Sequence, residues 1–311
     1  MTHHTPLRAV VVTGASTGIG AACARHLQGM GFLVFAGVRK REDGQALVAS
    51  CHGATPAIQP ILLDVTDHNS IAVAAKDVEA ALTTAGINGL AGLVNNAGIA
   101  VPGPIEAVPL ADARRQLDVN VLGQMAVTQA FLPLLRTARG RIVNMSSIAG
   151  RAVTPFMGWY CASKFAFEAL TDALRMELCP WGIEVCSVEP GAIVSSIWER
   201  SGAEGERMAR VADPARLSLY RVSLERLRQT IGRVVEGAIP ADAVARVVAE
   251  ALTVSRPKTR YLVGRDAKFR RWMGRLCPDR VQDRLVMKFL NLPTEPPVDA
   301  SAAGQVLPPP T

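Results

Sequence analysis

Residues 9–20 read AVVVTGASTGIG and decide the fold of this chain. A short apolar, β-rich run leads directly into a loop with glycine at positions 14, 18 and 20, and then into a helical pattern. Glycine lets the backbone turn tightly and lets a pyrophosphate approach the helix N-terminus, where free N–H groups and the dipole favour an anion. An ordinary tight turn is the alternative, but the position directly after the first strand favours a phosphate-binding loop.

The rest of the chain repeats this alternation of short strand and longer helix. Seven apolar runs predict strands: Ala9–Thr13, Leu33–Gly37, Ile58–Leu63, Gly92–Asn95, Arg141–Met145, Glu184–Val188 and Tyr261–Val263. Apolar residues at three- and four-residue spacing predict helices at Gly18–Met30, Asp67–Ala85, Asp112–Leu135, Tyr160–Leu178 and Ala241–Thr253. The pattern predicts an α/β fold with a single Rossmann-like, doubly wound parallel sheet of about seven strands and helices on both faces.

Composition divides the chain into three parts. Residues 1–264 form the predicted Rossmann-fold domain, and residues 191–239 within it form a mostly helical excursion placed to cover a substrate. Residues 265–292 form a basic C-terminal extension. Residues 293–311 are proline-rich and are predicted to be disordered.

The net charge of +7 is concentrated near the C-terminus. Residues 256–288 hold eleven Lys or Arg and three Asp, a surplus of eight positive charges, so the rest of the chain is near neutral and no nucleic-acid partner is predicted. Peripheral membrane contact through residues 265–288 is one interpretation of this segment. The favoured alternative is a solvated basic face over an apolar packing stripe. The apolar residues in question are Phe269, Trp272, Met273, Leu276, Leu285 and Val286.

The six cysteines are scattered, with no Cys-x-x-Cys pair and no histidine at metal-ligand spacing, so neither a metal site nor a disulfide framework is predicted. Reduced thiols, the lack of a secretory signal pattern and the lack of a long apolar run predict a cytoplasmic protein.

Three motifs together identify a family. They are the octapeptide at residues 13–20, Asn95-Asn96-Ala97-Gly98 after the fourth strand, and Tyr160-Cys161-Ala162-Ser163-Lys164. With each motif at the matching strand or helix boundary, the sequence resembles the short-chain dehydrogenase/reductase family from about Arg8 to Gly264. The phrases at residues 31–37, 92–99 and 188–191 resemble its hydroxysteroid and retinol dehydrogenase branch.

Tyr160 and Lys164 are the predicted catalytic pair. Residues four apart share one face of a helix, so the phenol and the ammonium can address the same bound molecule. A positive charge at ~4 Å contributes about 4 kcal/mol at an effective dielectric of about 20, which would lower the phenol pKa by nearly three units. The alternative for an isolated pair is a surface lysine beside a half-buried tyrosine.

The resemblance implies two further catalytic residues. Ser147, thirteen residues before Tyr160, would bond the substrate oxygen, with Ser146 as a structural alternative. Asn120 would hold a water relay to Lys164, and the competing interpretation is a polar residue bonded to its own helix backbone.

The resemblance also implies a nicotinamide dinucleotide site. Its predicted cofactor-binding residues, besides Tyr160 and Lys164, are Gly14, Ser16, Thr17, Gly18, Ile19, Gly20, Asp64, Val65, Asn96, Ala97, Gly98, Pro190, Gly191, Ile193 and Ser195. Asp64 would contact the adenine or, alternatively, cap the next helix, for which Asp67 is the other candidate. Ser195 stands where the family usually has threonine.

The end of the second strand distinguishes the two nicotinamide cofactors. Val38 occupies the position where an NAD enzyme needs a carboxylate for the ribose 2′-hydroxyl. Arg39, with Lys40 and Arg41 beside it, can pair with a 2′-phosphate, so NADP(H) is favoured over NAD(H). A solvated basic turn is the alternative.

These features predict an NADP(H)-dependent oxidoreductase that interconverts an alcohol and its carbonyl. Apolar residues expected at the pocket favour a lipophilic substrate such as a steroid or retinoid, and packing of the excursion onto the sheet is the competing role for them. These residues are Ile148, Val153, Phe156, Met157, Trp159, Trp198, Met208, Leu219 and Tyr220. A catalytically idle NADP(H)-binding regulatory protein is the alternative function. The resemblance implies a homodimer or homotetramer joined through the Asp112–Leu135 and Tyr160–Leu178 helices.

Overall fold

The computed structural model describes residues 7–51, 57–194 and 197–295. Seven parallel strands form one sheet in the order β3-β2-β1-β4-β5-β6-β9. Their bounds are β1 Arg8–Val12, β2 Phe32–Val38, β3 Ile58–Leu62, β4 Gly92–Asn95, β5 Arg141–Met145, β6 Glu184–Pro190 and β9 Arg260–Val263. Two short strands, β7 Ile193–Val194 and β8 Ile239–Pro240, pair separately. The predicted architecture is confirmed.

The strand order reverses at β1, which lies between β2 and β4. The chain first winds outward through β2 and β3, and then crosses back to continue through β4, β5 and β6. In such sheets ligands bind at the carboxyl ends of the strands, in the crevice at this reversal. The reversal therefore directs attention to the loops after β1 and β4.

Both faces of the sheet are covered, as the near-continuous apolar strands require. Successive residues of β1 alternate between two cores, with Val10 and Val12 in one and Ala9 and Val11 in the other, and all four are fully buried. The first core lies against α1 Gly18–Gly29 and α10 Ala241–Thr253. The second lies against α3 His68–Thr84, α5 Gly123–Ala138 and the end of α6 Gly158–Leu178.

The predicted Asp112–Leu135 helix is three pieces rather than one. A helix α4, Leu110–Leu117, passes into a single π-helical turn, Asp118–Leu122, before α5 begins. Such turns frequently occur at functional sites. A helix α2, Arg41–Ala49, was not predicted, because it buries only Gly44 and Leu47 and so has a weak apolar pattern.

The excursion after β6 is helical, with α7 Ile197–Val211, α8 Pro214–Ser218 and α9 Arg221–Glu236. Met208 of α7 is buried in a small cluster with Val101, Val108 and the partly buried Trp159. For Met208 and Trp159 the contacts therefore agree with the packing alternative. Ser195 lies outside the described residues, and the side chain of Trp198 is likewise not described.

The C-terminal extension forms two helices, α11 Arg265–Leu276 and α12 Asp279–Phe289. The expected apolar packing stripe is wrong for Phe269, Trp272, Leu276 and Leu285, which are 45–64% exposed, although Met273 is buried. The expected solvated basic face is wrong for two arginines of α11, whose contacts are described below. Among the residues that the structure describes, no helix has the length and apolar character needed to cross a bilayer. Most of the proline-rich tail lies outside the described residues.

Candidate active site

The glycine loop turns directly from β1 into α1. Gly14 and Gly18 have φ values of +62° and +57°, in the left-handed region that favours glycine. A Cβ on Gly20 would lie 2.2 Å from the carbonyl oxygen of Gly14, so this position admits no side chain. Ser16, Thr17 and Ile19 complete the loop, and the side chain of Thr17 does not cap the helix amides. The result is a glycine-lined cradle at a helix N-terminus, which fits a dinucleotide pyrophosphate.

Thr13 joins this loop to the segment after β4. Its hydroxyl accepts hydrogen bonds from the backbone amides of Asn96 at 2.9 Å and Ala97 at 3.0 Å. The Asn96 side chain donates in turn to the carbonyl oxygens of Thr13 and Gly14. A Cβ on Gly14 would lie 2.8 Å from Ala97 Cα, so the two loops are in direct contact. Thr13 is the first residue of the octapeptide at residues 13–20, but it was not predicted from the sequence as a site residue.

The predicted adenosine side of the site lies beside the same loop. The amide of Ala15 donates to the carbonyl oxygen of Gly37 at 2.9 Å, which ties the glycine loop to the end of β2. Arg39 and Lys40 follow at once and are exposed, while Val38 is buried. Arg39 therefore lies exposed at the carboxyl end of β2, next to the glycine loop.

Asp64 and Val65 lie at the neighbouring strand end, because the amide of Leu63 donates to the carbonyl oxygen of Val38. Asp64 accepts from the backbone amide and hydroxyl of Thr66 at 2.9 and 2.7 Å and so holds a turn. The helix cap is Asp67, which accepts from the amide of Asn69. The alternative that Asp64 caps α3 is therefore wrong. Val65 is buried against the start of α5, where its carbonyl oxygen would be 2.5 Å from a Cβ on Gly123.

Tyr160 and Ser147 meet at the carboxyl edge of β5. Ser147 caps a 3-10 turn, Ile148–Gly150, and its side chain is hydrogen-bonded to Tyr160 in the first turn of α6. Ser146 is instead buried, and among the described residues its hydroxyl has no hydrogen-bond partner. The contacts support Ser147 rather than Ser146 as the serine that works with Tyr160.

Lys164 lies one turn further along α6 and is buried. Its Nζ donates to the carbonyl oxygen of Met145 at 2.8 Å and lies 5.9 Å from the centroid of the Tyr160 ring. Burial lowers the pKa of Lys164 to about 8, and the charge of Glu168 acts in the opposite direction. A Cβ on Gly98 would lie 3.9 Å from Nζ, so the lysine faces the loop after β4.

The expected effect of Lys164 on Tyr160 is wrong for this structure. Burial raises the pKa of Tyr160 to about 12, and the hydrogen bond to Ser147 offsets only part of that rise. The physical reason is that desolvation of the buried phenolate exceeds what its neighbours offset, and the neighbour that lowers the pKa is the Ser147 hydroxyl rather than Lys164. At neutral pH the phenol is therefore protonated.

Asn120 lies in the π-helical turn and is fully buried. Its amide group exchanges two hydrogen bonds of 2.9 Å with the backbone of Ile99 and donates to the hydroxyl of Ser163 at 3.0 Å. The interpretation that it bonds its own helix backbone is therefore wrong. Asn120 connects the loop after β4 to the turn of α6 that carries Tyr160 and Lys164.

The segment after β6 forms the last part of the carboxyl edge of the sheet. Pro190 ends the strand, the amide of Gly191 donates to the carbonyl oxygen of Val263, and Ile193 is buried in the core. The amide of Ala192 donates to the carboxylate of Asp266 at 2.7 Å. Pro190, Gly191 and Ile193 therefore hold the backbone at the edge of the site, and any contact of Ile193 with a cofactor would be through its main chain.

A buried charge cluster behind the site was missed by sequence reasoning. Glu189 of β6 is fully buried and is paired with Arg151, Arg260 and Arg271 at 3.2–3.6 Å. Burial and the nearby Glu168 raise its pKa. Glu168, one turn after Lys164, accepts from Arg151 and Arg260. Two sequence features could have indicated this cluster. Glu168 lies four residues after Lys164 and so shares its helix face, and Glu189 is an acidic residue inside an otherwise apolar strand.

Comparisons with known proteins agree with this geometry. The sequence matches the short chain dehydrogenase family over residues 8–205. An NADPH-dependent 3-dehydrocapnine reductase from Ornithobacterium rhinotracheale is 33% identical over 294 residues, covering 93% of this chain and 99% of that protein. Retinol dehydrogenase 16 from Homo sapiens is 37% identical over 278 residues, covering 83% and 81%.

A solved structure shares the fold over nearly the whole chain. A short chain dehydrogenase from Burkholderia cenocepacia J2315, crystallised in complex with NADP, superposes with a TM-score of 0.66 and is 26% identical, covering 92% of this chain and 98% of that one. The family match covers more than half of the sequence and includes the glycine loop, Tyr160 and Lys164. The chain therefore belongs to the short-chain dehydrogenase family of oxidoreductases.

Proposed function

We propose that this protein is an NADP(H)-dependent oxidoreductase that interconverts a lipophilic alcohol and its carbonyl, with Tyr160 as the general acid/base. The observation that carries the proposal is that Tyr160 is hydrogen-bonded to Ser147 and lies one turn from Lys164, whose Nζ faces the loop after β4 that contacts the glycine cradle. When bound, the nicotinamide supplies or accepts the hydride. The protein has to orient the reacting oxygen and move its proton.

The side chains divide this work. The Ser147 hydroxyl donates to the substrate oxygen, and Tyr160 exchanges the proton of that oxygen. The raised pKa of Tyr160 keeps the phenol protonated at neutral pH, which is the form that can donate a proton to a carbonyl oxygen. Asn120 joins α6 to the loop after β4, and Lys164 joins it to the end of β5. Lys164 would also bond the cofactor ribose.

Two features support the finer proposals. Arg39 follows a buried Val38 where no carboxylate is available, which favours NADP(H) over NAD(H). Two apolar side chains of the loop that precedes Tyr160, those of Val153 and Met157, are exposed or partly exposed, which favours an apolar substrate of steroid or retinoid type. The names of two relatives, an NADPH-dependent reductase and a retinol dehydrogenase, agree with these two proposals. A cytoplasmic location and the absence of a nucleic-acid partner stay predictions.

A panel of apolar ketones, aldehydes and alcohols, followed at the nicotinamide absorbance, tests the activity. We expect Tyr160→Phe to lower kcat for the best substrate by about 10²–10⁴, because the variant keeps the ring but loses the transferable proton. Tyr261→Phe is the matched control, since that hydroxyl accepts from the amide of Lys258 and is expected to leave kcat unchanged. Equal turnover by Tyr160→Phe and wild type would refute the mechanism. Tight NADPH binding with no turnover on any substrate would favour the idle regulatory protein.

The cofactor preference is tested by Arg39→Ser. Loss of charge-assisted bonds to a 2′-phosphate, worth about 1.5–3 kcal/mol, should lower kcat/KM for NADPH by about 10- to 150-fold and change the value for NADH little. Arg256→Ser is the control, because that exposed arginine precedes β9 at the opposite edge of the sheet. An equal fall in kcat/KM with NADPH and NADH would show that Arg39 does not bind the 2′-phosphate.

The pH dependence follows from Lys164. Its lowered pKa, about 8, means that the ammonium is charged below that pH and neutral above it. Because the charged ammonium bonds the Met145 carbonyl and the cofactor ribose more strongly than the neutral amine would, we expect kcat for carbonyl reduction to be level between pH 6 and neutrality and to fall as the pH rises through about 8, measured at saturating NADPH. Lys164→Met should retain low activity, and its kcat should not fall as the pH rises through about 8. A wild-type profile that stays flat to pH 10 would contradict a role for the charge.

The expected homodimer or homotetramer has a candidate surface on α5 and α6. Met125, Leu132, Leu170 and Leu174 line an apolar groove between these helices. Leu174→Glu places a charge in this groove and should shift the sedimentation coefficient to that of the monomer. Met176→Glu, at a position 66% exposed on α6, should leave it unchanged. A monomeric wild type would refute this assembly.

A further inference from the structure

Helix α11 of the C-terminal extension is fastened to the segment after β6. The Asp266 carboxylate accepts from the amide of Ala192 and occupies a notch between Gly191 and Gly264. A Cβ on Gly191 would lie 2.1 Å from Asp266 Oδ2, and one on Gly264 would lie 2.4 Å from Oδ1. Both positions must lack a side chain for the carboxylate to sit there. Gly191 thus has a role beyond the one that the family motif suggested.

One turn further along α11, Arg270 holds the loop that precedes Tyr160. Its Nη2 donates to the carbonyl oxygen of Val153 and to the hydroxyl of Thr154, both at 3.0 Å. The guanidinium is partly buried, and desolvation lowers its pKa. The loop continues from these contacts into α6, because the amide of Met157 donates to the carbonyl oxygen of Thr154 and the amide of Cys161 donates to that of Met157.

Phe156, in the middle of this loop, also contacts the C-terminal extension. Its φ of +65° lies in the left-handed region, which is strained for a bulky side chain. The ring packs with Leu227 of α9 and with Leu290 and Leu292, which follow α12. A strained backbone persists only where its surroundings hold it, so the extension supports the conformation of this loop.

A third contact joins α11 to the buried charge cluster. Arg271 Nη1 lies 3.6 Å from Oε2 of Glu189, the residue immediately before Pro190. Two adjacent turns of α11 therefore reach three places, which are the segment after β6, the loop before α6 and the end of β6. The second of these places, the loop before α6, leads directly into the helical turn that carries Tyr160.

We propose that residues 265–292 act as a positioning clamp for the loop at residues 152–157, with Arg270 as its principal positioning residue, so that the extension shapes the wall of the substrate site. The proposal rests on the proposed function, since it assigns the substrate wall of that same site. It predicts that the extension governs how well a substrate is held and leaves hydride transfer and cofactor binding largely unaffected.

The test compares Arg270→Met with Arg270→Lys and with Arg275→Met, a control at an exposed arginine of the same helix. In the free full-length protein, hydrogen exchange of the peptide covering residues 152–159 should be at least tenfold faster in Arg270→Met and near the wild-type rate in Arg275→Met. With the best carbonyl of the panel, KM should rise about tenfold with a smaller change in kcat, while the Kd for NADPH, measured by fluorescence, should change less than twofold. Arg270→Lys should restore part of the KM.

Leu292→Ala tests the same clamp through Phe156, with Leu276→Ala, at a position 64% exposed, as its control. It also replaces Arg270→Met if that variant does not fold. A purely structural role would lower the melting temperature and the active fraction but leave KM of the folded enzyme unchanged, and that result would overturn the proposal. Unchanged exchange would overturn it as well. If wild type reduces no carbonyl, the proposed function fails, and the exchange comparison alone decides whether the clamp exists.

Discussion

The contact between the loops after β1 and β4 is the constraint on which the rest of the site depends. Thr13, at the end of β1, accepts from two consecutive amides of the next strand end, and Asn96 donates back to Thr13 and Gly14. This exchange is available only because Gly14 and Gly20 present no side chain where the loops meet. It fixes the glycine cradle relative to the loop that faces Asn120 and Lys164. The two halves of the sheet therefore meet in one defined geometry at the strand-order reversal.

Helix α6 is held by polar contacts of two consecutive residues, Ser163 and Lys164. Asn120 ties it to the loop after β4 through Ser163, and Lys164 ties it to the end of β5 through Met145. These contacts are buried, and a buried polar group left without a partner is costly, so they specify one position for α6. The same burial accounts for the opposite pKa shifts of Tyr160 and Lys164, because each is shifted toward its neutral form.

The cluster around Glu189 shows how charge joins segments that are distant in sequence. A fully buried carboxylate costs several kcal/mol unless it is paired, and here three arginines come from the loop after β5, from β9 and from α11. The pKa of Glu189 is nevertheless raised, so desolvation and Glu168 outweigh these arginines. Such a cluster is a weak source of net stability. Its effect is to connect the C-terminal extension with the strand end that borders the site.

The sequence by itself determined the sheet, the glycine cradle and the pairing of Tyr160 with Lys164, because periodicity, glycine spacing and helical repeat are local properties of the chain. Two strands, Gly92–Asn95 and Arg141–Met145, have the predicted bounds, and the remaining predicted strands agree to within two residues at either end. Tertiary structure decided whatever depends on burial or on distant partners. It set the direction of the Tyr160 pKa shift, the partners of Asn120 and the π-helical turn that carries it. It also decided that Asp266, Arg270 and Arg271, which in sequence are part of a basic tail, lie against the site, since no local pattern encodes which loop a charged side chain will meet.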